Sequence, residues 1–195
     1  MTIPTPGQTI GPFFGYALPY AGGPDLVPPA TAGAIRLHGR VLDGAGDPVP
    51  DAVLEIWQPD AAGRPVAEPG SLRRDGWTFT GWGRAATAAD GTYSFSTVRP
   101  GAVDGGAPFF AVVVFARGLL DRLFTRAYLP DDEAALTADP LLAALPADRR
   151  PTLVTTADDQ GYRFDVVLQG EHETVFLDHA ASNPLPPDRS GGGGR

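Results

Sequence analysis

A chain of 195 residues is long enough for one domain with a full-sized core, and 43% hydrophobic residues is too many for a disordered chain. A net charge of -8 leaves no concentrated basic face for nucleic acid, and an anionic small molecule would have to meet a local cation. Cysteine is absent, which removes disulfides, thiolate metal sites and cysteine nucleophiles.

Residues 1–33 are rich in proline and glycine with Phe13, Phe14, Tyr16 and Tyr20 interspersed. That composition predicts an extended arm of the same domain, laid over another surface. No basic stretch followed by an apolar one opens the chain, so no signal peptide is expected, and a cytoplasmic location fits the lack of cysteine. From residue 34 strand signals recur. Segment 35–42 alternates, breaks at the turn-forming Asp43-Gly44-Ala45-Gly46-Asp47-Pro48, and resumes over 52–57. Segment 91–98 carries Tyr93 and Phe95 on one face, and 109–116 is an uninterrupted apolar run, the mark of a strand buried on both faces. That run falls far short of the ~20 residues needed to span a bilayer. Alternation returns over 123–129 and 162–168, and a last short strand is expected over 174–177.

One helical insert is predicted between residues 131 and 150, where Asp139 can cap and Pro140 can take the first helical position. Short strands with dense turn punctuation, from 25 glycines and 21 prolines, mean a mainly β chain folded as a β-sandwich, with its core over 34–182. The tail 183–195, ending in Ser-Gly-Gly-Gly-Gly-Arg, is expected to be disordered.

Lone residue types offer little chemistry. His38, His172 and His179 are far apart and form no ligand pair, so each is read as structural or surface-exposed. Trp57, Trp77 and Trp82 are read as core or interface aromatics. Asp131, Asp132 and Glu133 suit a solvated helix start, and Arg149 and Arg150 are expected to pair with acids. No carboxylate pair or Ser-His-Asp set has a workable spacing.

The stretch from Leu37 to Pro65, LHGRVLDGAGDPVPDAVLEIWQPDAAGRP, resembles the signature of the intradiol ring-cleavage dioxygenases, non-haem iron(III) enzymes that split catechols. The resemblance implies a sandwich of that type and four iron-ligand positions. A tyrosine expected at the end of the signature is Pro65 here. A second, after a strand and a Pro-Gly pair, is Val103. A His-any-His pair opening the central apolar strand is Phe109 and Ala111. None has a side-chain donor atom, so no iron is expected to be bound by this chain.

Three further motifs narrow the resemblance to the α chains of the heteromeric protocatechuate 3,4-dioxygenases, in which only the β chain keeps the ligands. They are the opening TPGQTIGPF, the pair FARG and FTRAYL, and the ending YRFD followed by QGEHETVF. Phe13 departs from the pattern, which often has tyrosine there. The resemblance implies an iron(III)-bearing β partner in a higher αβ oligomer and no role with nucleic acid or membranes. It also implies a substrate site at the α–β contact, walled from this chain by Thr9, Gly11, Pro12 and Arg126. Glycine permits close backbone approach, proline offers a fixed apolar face, and a guanidinium matches a carboxylate. An ion pair with an acid is the competing reading of Arg126. For the whole chain the alternative is a stand-alone transthyretin-like binding module, which shares the DGxGxPV turn.

Overall fold

The computed structural model describes residues 13–178. Its strands form two sheets. Strands β1 (Ala34–Leu42), β4 (Thr92–Val98), β7 (Thr156–Asp158) and β8 (Gly161–Arg163) run in the order β4-β1-β8-β7, and β9 (Val166–Val167) also pairs with β1. The second sheet has the order β3-β2-β5-β6, from Trp82–Ala86, Val53–Trp57, Phe109–Phe115 and Leu123–Tyr128. Antiparallel pairing dominates; the parallel strand pairs among the described residues are β1 with β8 and β1 with β9.

Period-two alternation sets the core. Leu37 and Val41 of β1 and Tyr93 and Phe95 of β4 face Leu54 and Ile56 of β2 and Phe110, Val112 and Val114 of β5, and all are buried. Burial of this inner layer, at about 25 cal/mol for each Å² of apolar surface, is the main force joining the sheets. Buried polar groups are paired across it: Tyr93 donates to the Phe164 carbonyl (2.5 Å), and Thr97 to Gln58 Oε1 (2.5 Å). A second apolar cluster, with Ala107, Tyr128, Leu142 and Leu153, sits under the helical segment.

Several expectations are corrected. Strand β5 lies between β2 and β6, yet Phe109, Ala111 and Phe115 on its outer face are only half-buried, so the apolar run is not covered on both sides. The insert splits into α2 (Glu133–Ala138) and α3 (Pro140–Ala144), because Asp139 caps α3 from an extended backbone that α2 cannot continue through. A 3-10 helix, Arg150–Leu153, follows. Segment 162–168 breaks between β8 and β9, and 174–177 is not a strand, although Leu177 N–H reaches the Phe124 carbonyl (2.7 Å). Inside the expected arm, Phe14–Ala17 forms one helical turn, α1, whose Phe14 ring tilts against Phe115. Arg149 and Arg150 bond backbone carbonyls of Glu171, Glu173, Leu145 and Ala143 rather than acids. Thr9, Gly11, Pro12, His179 and the tail lie outside the described residues.

Candidate functional site

Two of the four positions matched to metal ligands, Phe109 and Ala111, lie near the start of β5, and the other two, Pro65 and Val103, are on loops joined to each other by backbone contacts. Strand β2 ends at Trp57, directly opposite Ala111 near the start of β5. The chain then turns at Asp60, whose carboxylate accepts the amides of Ala62 and Arg64 (both 2.9 Å) and whose side chain also pairs with Arg64. Gly63 completes that turn at φ +79°, and a Cβ there would come within 1.9 Å of the Ala102 carbonyl. The Asp60 carbonyl in turn accepts the Gly101 amide (2.9 Å). The loop bearing Pro65 is thus tied by backbone to the loop bearing Val103, and the latter leads into Phe109. Pro65 is exposed, whereas Val103, Phe109 and Ala111 are half-buried.

Proline, valine, phenylalanine and alanine side chains cannot hold iron, which takes hard oxygen and imidazole nitrogen donors. Among the described residues no group of three or more His, Asp or Glu side chains is placed to hold a metal ion. Residues and metal do not fit at these positions.

What stands there is a cation of the protein's own. Arg126 on β6 pairs in register with Ala111, and its guanidinium carbon lies 4.0 Å from the centre of the Phe109 ring. This is cation–π geometry. Arg126 Nη1 donates to Tyr128 Oη (3.0 Å), and Tyr128 donates onward to Asp139 Oδ1 (3.1 Å). Among the described residues no carboxylate forms a salt bridge with Arg126, so the competing ion pair is not found there. Among the described residues Tyr128 is the one hydrogen-bond acceptor of the half-buried guanidinium, which leaves most of its donors for another acceptor.

Tyr128 is fully buried, its ring 5.4 Å from that of Phe109. Burial pushes its phenol up to about 12, against the opposing pull of Arg126, so it stays neutral and can donate and accept at once. Asp139 is buried too. Besides Tyr128 it accepts the amides of Leu141 (3.0 Å), Leu142 (3.2 Å) and Ala107 (3.3 Å). Sequence reasoning missed Tyr128 and saw Asp139 only as a cap. The available signal was the two-residue spacing of Arg126 and Tyr128, which puts both on one strand face.

The other singled-out residues lie elsewhere. His38 Nε2 meets Asp158 Oδ1 at 3.1 Å across β1 and β7, and His172 is exposed. Trp82 is buried between Tyr20 and Trp57, while Trp57 is 51% and Trp77 93% exposed. Asp131 binds Arg99 and Tyr162 rather than standing free at a helix start, and Asp132 is the cap of α2.

Comparison with known proteins gives these features a family. A family model described as Dioxygenase matches residues 27–108. The chain is 43% identical to the protocatechuate 3,4-dioxygenase alpha chain of Burkholderia cepacia over 192 residues, covering 89% of this chain and 96% of that one. It is 35% identical to the beta chain from the same organism over 157 residues, 72% of this chain and 66% of that one. Among solved structures, the dioxygenase domain of a dioxygenase carbohydrate-binding protein fusion from Streptomyces sp. SirexAA-E is 27% identical, with a TM-score of 0.53 over 86% of this chain and 99% of that one. These matches favour the dioxygenase reading over a stand-alone module. The chain belongs to the intradiol ring-cleavage dioxygenases, in the branch of the protocatechuate 3,4-dioxygenase alpha chains.

Proposed function

We propose that this chain is the non-catalytic α subunit of a protocatechuate 3,4-dioxygenase, paired in the cytoplasm with a homologous β subunit that holds the iron(III). The pair, assembled into a higher αβ oligomer, opens protocatechuate with O2 between its two hydroxyl-bearing carbons to give 3-carboxy-cis,cis-muconate. Ring opening belongs to the partner. This chain contributes wall and charge: Thr9, Gly11 and Pro12 from the arm, and Arg126 as the cation for the substrate carboxylate. The observation that carries the reading is the half-buried Arg126, held on Phe109 beside matched positions whose side chains carry no metal donor, and unpaired with any acid among the described residues. In a chain of charge -8 such a cation is what an anionic catechol requires.

The test is made on the complex with the iron-bearing homologue. Purified alone, this chain is expected to be colourless and iron-free; co-expressed, it co-purifies through an interface above the ~1,000 Å² of specific contacts. Within the complex, Arg126→Ala is expected to weaken protocatechuate binding by ~1.5–3 kcal/mol, the range for charged hydrogen bonds, and plain catechol much less. Equal losses for both catechols, or a tyrosinate–iron band from this chain alone, would sink the proposal.

A further inference from the structure

We infer that Tyr128 and Asp139 are positioning residues for the carboxylate-binding guanidinium of Arg126, and this rests on the reading of Arg126 just given. An arginine side chain has many rotamers, and holding it ready for a ligand requires fixed partners. Here Phe109 takes one face of the guanidinium and Tyr128 Oη takes one Nη1 proton. Among the described residues no other acceptor takes a hydrogen bond from Arg126. Tyr128 can serve only if its own hydroxyl proton points away from Arg126, and Asp139 enforces that by accepting it. Asp139 cannot drift, because three backbone amides also converge on it, two from the start of α3 and one from Ala107 on the loop entering β5. A Cβ added at Gly106 would come within 3.0 Å of Asp139 Oδ2, so the loop is packed against the carboxyl as well. The relay therefore couples the helical insert, the loop after Val103 and the guanidinium in one hydrogen-bonded line. A helix cap needs no such reach: among the described residues the Asp132 side chain caps α2 by accepting the Ala135 amide alone.

Kinetics of the reconstituted complex decide the matter, with protocatechuate and plain catechol as paired substrates. Tyr128→Phe keeps the ring against Phe109 and removes only the hydroxyl. It is expected to raise KM for protocatechuate about five- to tenfold, the size of one net hydrogen bond, with kcat and the KM for catechol little changed. Asp139→Asn, which retains a capping oxygen, is expected to move KM the same way by a smaller factor, and it keeps the test open if Tyr128→Phe folds poorly. Adding Tyr128→Phe to Arg126→Met is expected to cost nothing beyond Arg126→Met alone, since the two act as one unit. If Arg126→Met raises KM but neither Tyr128→Phe nor Asp139→Asn does, the positioning role is overturned and the Arg126 reading stands. If Arg126→Met leaves KM for protocatechuate unchanged, both fall. Equal losses on the two catechols in Tyr128→Phe would make the hydroxyl structural and also overturn the inference.

Discussion

Single residues in this chain hold loops as firmly as they build the core. Asp75 is the clearest surface case. Its carboxylate accepts the Trp77 and Thr78 amides (both 2.8 Å) and the Thr78 hydroxyl (2.7 Å), and so presents Trp77 almost fully exposed. Those bonds, the Thr78 amide first, hold the carboxyl down to about 2 from an ordinary 3.8. Because the folded value is depressed, the stabilising contribution is present above 3.8 and is lost as pH falls through about 2. NMR signals of the Trp77 indole and of the 76–78 amides are therefore expected to persist below pH 3.8 and to shift near pH 2, and Asp75→Ala removes that step. A midpoint at the ordinary value would contradict the bonded carboxylate. Asp139 illustrates the limit of residue-level reading. Its capping role is legible from the following proline, but its bond to Tyr128 joins residues on different elements and exists only once β6 and α3 have packed.

Elements were legible where pattern and pairing agree. Strands β1, β2, β4, β5 and β6 announce themselves by alternation or by an apolar run, and each falls within a residue or so of its expected bounds. Strand β3, Trp-Gly-Arg-Ala-Ala, has no β-branched residue and was not expected; pairing with β2 and burial of Trp82 and Ala85 make it a strand. Strand β7 is exposed at every residue and owes its form to β8. Helix α1 is one turn, too short for a helical period to show. Between β2 and β3, Arg84 donates to Glu55 at 2.9 and 2.6 Å with both side chains about 15% exposed, and to the Leu18 carbonyl at 2.9 Å. One charge left alone there is poorly solvated, so Glu55→Ala is expected to cost about 2–3 kcal/mol by urea denaturation. The Glu55→Ala/Arg84→Ala double variant should cost less than the sum of the singles. Strict additivity would show that the pair contributes nothing to holding β3.

At the scale of the whole molecule, one interior strand is shared by distant parts of the chain. Strand β1 pairs with β4 along Ala34–Val98 to Arg40–Thr92, and on its other side takes β8 and β9 in parallel. Gly39 allows it: a Cβ there would come within 1.9 Å of the Phe164 carbonyl, so only glycine admits the last strands so close. Arg40 N–H, meanwhile, is received by Asp165 (3.0 Å). That arrangement has a consequence during synthesis. The ribosome releases β1 early, but its second neighbours exist only after residues 161–167 have been added. Until then β1 offers an open row of amides and carbonyls, a template for pairing with other chains. A chain stopped at residue 155 should accordingly accumulate in the insoluble fraction, while one stopped at 178 should stay soluble. Equal solubility of the two would show that β1 is protected some other way. The nascent protein thus depends on its final quarter, and on whatever holds it apart from its neighbours while that quarter is made.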